Sequence, residues 1–138
     1  IYIPSNGLTV VRPATDANKP PQIAWKNNRF SSGTPSPLVY RGKVFTMNGP
    51  IVKCGDTSNG KLLWQLRLKG AFTSSPVAAD GHLYYFGENG MTYVIDISGA
   101  KGKIVSENEL GATILCTPAI ADNSVFVRSD GHLWKISR

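Results

Sequence analysis

The sequence predicts an all-β chain built from repeated units of four short antiparallel strands, and three observations carry that prediction. The first is a proline step: Ser36-Pro37, Ser75-Pro76 and Thr117-Pro118 open successive units 39 and then 42 residues apart. The second is a pair of turns around an apolar run, clearest in residues 71–96, where Asp80-Gly81, the run Leu83 to Phe86 and Asn89-Gly90 follow one another. Short β-rich runs divided by such turn pairs are a strong local hairpin signal. The third is the placing of the 14 Gly and 9 Pro, which fall at recurring positions rather than in one biased block, as many strands joined by turns require. With 138 residues, 41% hydrophobic and 9% aromatic, the chain reads as one globular domain spanning 1–138.

The elements follow in order. Residues 1–12 reproduce the later half of a unit: Ile1-Tyr2-Ile3, a turn at Asn6-Gly7, then Leu8 to Val11. Residues 13–22 are a polar connection whose prolines at 13, 20 and 21 exclude helix and central strand. From Trp25 the next unit runs through Arg41-Gly42, a strand from Val44 to Met47, Asn48-Gly49, a strand from Ile51 to Cys54 and a closing segment from Asp56 to Trp64. The unit after it closes with a longer segment, Asp96 to Ser106, in which Ser106 stands where Trp64 stood. The last has Asp122-Asn123, Val125 to Val127, Asp130-Gly131 and Leu133 to Ile136. Gly49, Gly90 and Gly131 are expected to hold positive φ in two-residue hairpins.

A period of 39–42 residues is that of a β-propeller blade of four antiparallel strands. Such a blade hides its faces only against neighbouring blades around an axis. The chain is therefore an arc of about three blades, with boundaries near 25, 64 and 106. The arc cannot close, so its flanks are expected to bare Ile1, Ile3, Val125 and Val127 and to recruit other chains.

Charge and motifs exclude several functions. Of the net +6, residues 1–70 carry ten Lys and Arg against Asp16 and Asp56, and 71–138 carry five against seven acids. The basic residues are spread along strands and turns, without the aromatic interleaving of a nucleic-acid surface; an anionic carbohydrate or polymer is the partner class left to them. No apolar run reaches about 18 residues, so no span is expected. Gly55 to Lys61 has the G-x-x-x-x-G-K spacing of a phosphate loop, but Leu62 replaces the Ser or Thr that coordinates magnesium, and Gly102-Lys103 repeats the pair as a turn. His82 and His132 follow Asp-Gly turns at non-equivalent positions and have no nucleophile elbow beside them. With Cys54 and Cys116 sixty-two residues apart, they offer no metal-ligand spacing, and the two thiols are expected half-buried and unpaired. Tyr84, Tyr85, Phe86 and Tyr93 read as blade core rather than as an aromatic wall for a sugar or quinone.

The proline step, the Asp-Gly-x-Leu-Tyr turn and strand, and the D-x-x-x-G-K-x-x-W run from Asp56 to Trp64 together resemble the PQQ-like β-propeller repeat family over nearly the whole chain. The resemblance implies blades held together by a docking motif, Ala-x-Asp-x-x-Thr-Gly-x-x-x-Trp. It assigns Asp56, Gly60 and Trp64 to docking, with Asp96 and Gly102 in the next copy and Trp25 at the motif's last position. Residues 128–136 are similar to the carboxyl ends of such propellers in environmental bacteria, which makes the chain a carboxyl-terminal piece. Some family members are dehydrogenases holding pyrroloquinoline quinone and calcium with an adjacent Cys-Cys ring, a stacking Trp and acidic and Asn ligands. Others, such as the outer-membrane assembly lipoprotein propeller, hold no cofactor. Cys54 and Cys116 are not adjacent, and the chain sides with the second group. The expectation is a non-catalytic scaffold or binding platform of a bacterial envelope protein, periplasmic or extracytoplasmic. It has no cofactor, no catalytic or metal residues, and other blades and a protein as partners. The alternative is part of a quinone- and calcium-dependent dehydrogenase whose site lies in further blades.

Overall fold

The computed structural model describes residues 1–137. It contains fourteen strands and, among the described residues, no helix. Two sheets have four strands: β4 (Leu38–Tyr40), β5 (Lys43–Asn48), β6 (Ile51–Asp56) and β7 (Leu62–Arg67), then β8 (Val77–Ala79), β9 (His82–Phe86), β10 (Met91–Asp96) and β11 (Lys103–Glu109). Before them stands a three-stranded sheet of β1 (Tyr2–Pro4), β2 (Leu8–Arg12) and β3 (Gln22–Asn27). After them comes another of β12 (Ala119–Ala121), β13 (Ser124–Arg128) and β14 (Leu133–Ser137). Every pairing is antiparallel and between strands consecutive in sequence. The architecture is thus the expected arc of blades, with two complete sheets between two three-stranded ones.

The first turn of each unit is built as its sequence dictates. Tyr40 pairs with Lys43, Ala79 with His82 and Ala121 with Ser124, so each loop has two residues. Both of those residues have positive φ: Arg41 and Gly42 at 48° and 71°, Asp80 and Gly81 at 47° and 76°, Asp122 and Asn123 at 47° and 56°. This is the type I′ geometry that matches strand twist. The second turns differ from one another. Gly49 (φ 51°) and Pro50 form a two-residue loop, whereas Gly90 (φ 85°) sits in a longer loop closed by Gly87 N donating to Met91 O. Gly131 departs from the sequence expectation: Arg128 pairs with Leu133 across a four-residue loop, and Gly131 has no positive φ. The Ser129 hydroxyl accepts from His132 N at 3.2 Å and from Trp134 Nε1 at 3.1 Å, and so organises a wider turn than Asp130-Gly131 alone would make.

The core lies between sheets rather than within any one. Tyr2, Leu8, Val10, Trp25 and Phe30 pack against Val44 and Leu62. Phe45, Met47, Val52, Cys54 and Trp64 pack against Leu83, Tyr85 and Ile95, and Tyr84 and Phe86 against Val125, Val127 and Trp134. Tyr85, Phe86 and Tyr93 are buried and Tyr84 is half-buried, so the aromatic run is core. Among the described residues the first and last sheets share no cluster, and the ring stays open. Two flank expectations change. Val127 is fully buried against the third sheet and Val125 is half-buried, while Ile1, Ile3, Ile23, Ile120, Leu133 and Ile136 are exposed. Val125 and Val127 share the face of β13 that meets the third sheet, where Val127 packs with Phe86 and Ile114.

Candidate functional site

The residues singled out by the sequence meet at the sheet junctions. In each of the first three sheets the outermost strand carries a bulge at the same register, where Val10 faces Trp25, Cys54 faces Trp64 and Val94 faces Ser106. Ala24, Leu63 and Val105 are the extra residues, and this accounts for Leu63 and Val105 being exposed although apolar. A bulge sharpens local twist and re-aims the neighbouring side chain; here it turns the residue beside it toward the following sheet.

Trp25 leans on the turn of the next sheet. A Cβ placed on Gly60 would come within 2.5 Å of the Trp25 ring, so only glycine leaves room, and its φ of 71° already favours one. The indole Nε1 donates to Thr57 O at 2.8 Å, and Asn27 Nδ2 donates to Gly60 O at 2.7 Å. Trp64 repeats the contact one sheet on: a Cβ on Gly102 would lie 2.6 Å from its ring. Its Nε1, however, has no partner among the described residues. The carbonyl that corresponds to Thr57 O is Ile97 O, and Lys43 Nζ takes it at 2.8 Å.

Asp56 and Asp96 do not touch the indoles. Asp56 Oδ1 accepts from Ser58 N and from the Ser58 hydroxyl, and Asp96 Oδ1 accepts from Ser98 N at 2.8 Å. The Ser58 hydroxyl and amide hold the Asp56 carboxyl below its ordinary range, and the Ser98 amide and hydroxyl do the same for Asp96. Each aspartate thus folds the turn that presents the glycine. Gly60 N donating to Asp56 O and Asp56 N donating to Lys61 O close the first of these turns. The G-x-x-x-x-G-K stretch is this turn, with no helix after it, so its amides are already used.

Sequence reasoning missed four contacts. Phe30 fills the place of a side chain at Gly55, where a Cβ would meet the ring at 2.4 Å. Tyr40 OH accepts from Gly81 N at 3.1 Å. Ser36 N donates to Ser75 Oγ at 2.9 Å, and Ser75 N to Thr117 Oγ1 at 3.2 Å, so the hydroxyls before Pro76 and Pro118 each anchor the preceding blade. The recurrence of a hydroxyl residue before proline was the only available signal for this relay.

The titratable residues are scattered. His82 Nδ1 lies 2.8 Å from Asp80 O, and His132 is exposed with its ring 5.3 Å from that of Trp134. Cys116 is half-buried as expected, with Sγ directed at Arg128 O. Cys54 is instead fully buried, because β6 is covered on that face by Trp64 and the third sheet, and burial pushes its thiol up to about 12. Among the described residues no three His, Cys, Asp or Glu side chains converge on a point. No helix here is long and apolar enough to cross a membrane.

Comparison with known proteins agrees with this architecture. No curated protein matches the chain. Among solved structures, BamB from Moraxella catarrhalis superposes with a TM-score of 0.55 at 23% identity, over 67% of this chain and 29% of that one. The computationally designed Ika8 protein superposes with a TM-score of 0.52 at 14% identity, over 98% of this chain and 54% of that one. The chain thus spans well under two thirds of either, and at these identities the likeness is one of fold. The sequence itself matches the family described as outer membrane protein assembly factor BamB twice, over residues 14–98 and 51–138. With matches reaching across nearly its whole length, the chain belongs to that family of PQQ-like propeller repeats.

Proposed function

We propose that the chain is a blade array of a non-catalytic scaffold that works in the bacterial envelope, outside the cytoplasm, as a protein-binding platform in outer-membrane protein assembly. The observation that carries this reading is the double family match over residues 14–138, on a chain whose distinctive residues are spent on holding blades together. Trp25, Gly60, Trp64 and Gly102 act in docking, and Asp56 and Asp96 shape the turns that receive the indoles. In this reading no cofactor takes part.

The test uses the full-length protein of which these repeats are part. Cells lacking it are expected to hold several-fold less folded β-barrel protein in the outer membrane, and the purified protein is expected to leave a redox dye unreduced when supplied with the quinone, calcium and alcohols or sugars. Unchanged barrel content together with substrate-dependent dye reduction overturns the proposal.

A further inference from the structure

The first turn of the second sheet breaks a rule that the equivalent turns keep. Asp80 and Asp122 open theirs at φ 47°, and Arg41 holds the same left-handed conformation at 48°. Aspartate tolerates that region because its short side chain bonds locally, and arginine has no such means. Directly after the turn, Lys43 stands where the later units carry His82 and Ser124. A cation kept in a strained conformation, with a second cation beside it, points to a use beyond folding.

Both side chains are held over the junction with the third sheet. The Arg41 guanidinium lies 5.2 Å from the centroid of the Tyr40 ring, and its Nη1 is 3.3 Å from where a Cβ on Gly81 would stand. Tyr40 is itself fixed, its OH accepting from Gly81 N at 3.1 Å. Lys43 Nζ gives one N–H to Ile97 O at 2.8 Å, and an ammonium has three to give. Arg41, Lys43, Gly81, Ile97 and Ser98 line a pocket of about 290 Å³, at the surface because Arg41 and Ser98 are exposed. Among the described residues no carboxylate stands in its walls. Asp80, beside Gly81, is not one of them, and Asp96 already accepts from Ser98 N at 2.8 Å.

We infer that this pocket binds a carboxylate group, with the Arg41 fork on both oxygens and Lys43 supplying a further N–H. A guanidinium matches a planar carboxylate with two parallel hydrogen bonds, whereas an ammonium acts as a point charge, so the pair favours a carboxylate over a tetrahedral anion. The inference goes beyond the scaffold reading and stands or falls separately, because its probes are small molecules and its readout involves neither a protein partner nor an outer membrane.

The experiment follows the backbone-amide chemical shifts of the full-length protein during titration with acetyl-glutamate-amide, its glutamine counterpart, acetate and inorganic phosphate. The glutamate probe is expected to give saturable shifts at Lys43, Gly81, Ile97 and Ser98, to bind more weakly as salt is added, and to bind at least about ten-fold more tightly than the glutamine probe. Glutamate ahead of acetate identifies a side chain of a protein partner as the source of the carboxylate, and equal binding identifies a small free acid; both support the site. Arg41→Asn installs a residue suited to the left-handed turn, so it is expected to melt no lower than the parent and yet to lose about ten-fold or more in affinity for the glutamate probe. Lys43→Gln keeps an N–H for Ile97 O and is expected to weaken binding several-fold. The inference is overturned by an absent or unsaturable response in the parent, by shifts that map elsewhere, by phosphate binding more tightly than the glutamate probe, or by a folded Arg41→Asn protein that binds as the parent does.

Discussion

Trp25 and Trp64 hold the same register and pack on the same kind of glycine, yet their indole N–H groups meet different ends. The first is bonded to Thr57 O and the second is buried without a partner. Truncating either ring to Ala should cost about 3–5 kcal/mol, which exceeds the roughly 1–3 kcal/mol penalty of one unpaired donor, so packing decides that Trp64 stays inside. Substitution by Phe separates the two terms. Trp64→Phe keeps most of the packing and deletes the orphan, whereas Trp25→Phe deletes a made bond, so chemical denaturation should find Trp25→Phe the more damaging by about 1 kcal/mol. The thiol of Cys54 gives a second prediction. Burial pushes it up to about 12, so above pH ~9 the unfolded chain sheds this proton while the folded chain keeps it. Stability therefore falls as pH rises from about 9 toward 12 and is unaffected by this group below that window. Denaturation of Cys54→Ala should show a shallower decline beginning at higher pH, where Tyr85, also raised by burial, takes over. Native Cys54 should resist alkylation at pH 8 until the chain unfolds.

At the scale of elements, turn chemistry divides positions that look alike in the sequence. A Cβ on Gly42 or on Gly131 would meet nothing within 4 Å, so space does not distinguish them, but only Gly42 has positive φ, at 71°. Gly42→Ala should cost about 1 kcal/mol and Gly131→Ala should fall within about 0.5 kcal/mol of the parent; equal effects would refute the assignment. The first turns were legible in the sequence because Arg41-Gly42, Asp80-Gly81 and Asp122-Asn123 settle their conformation within two residues. Asp130-Gly131 misled because Ser129 reaches over that pair to His132 and Trp134, a bond that a dipeptide does not encode. The indoles that pack between sheets and the glycines they rest on were marked by the same kind of local signal, the spacing of Asp56, Gly60 and Trp64. Which indole finds an acceptor was not, since Trp25 and Thr57 are 32 residues apart and Lys43 reaches Ile97 across 54. Full burial of Cys54 was hidden likewise, because the third sheet supplies the cover.

For the whole molecule, the repeat period made the arc legible, and the four-sheet count followed once the partial units at each end were added. The flanks decide its behaviour in solution. Ile1 and Ile23 are each 67% exposed on the first sheet and Leu133 is 75% exposed on the last, beside strand edges that no other described strand pairs with. Sedimentation of the purified chain at micromolar concentration should show concentration-dependent association; a compact monomer there would refute it. The reach of each indole into the following blade also sets a schedule for synthesis. Trp25 emerges from the ribosome 32 residues ahead of the carbonyl that receives it, and translation at about 5–20 residues per second makes that wait about 2–6 s. For that interval the first blade keeps its docking ring in water, so a chaperone is most useful to it while that blade is out and its successor is still being made.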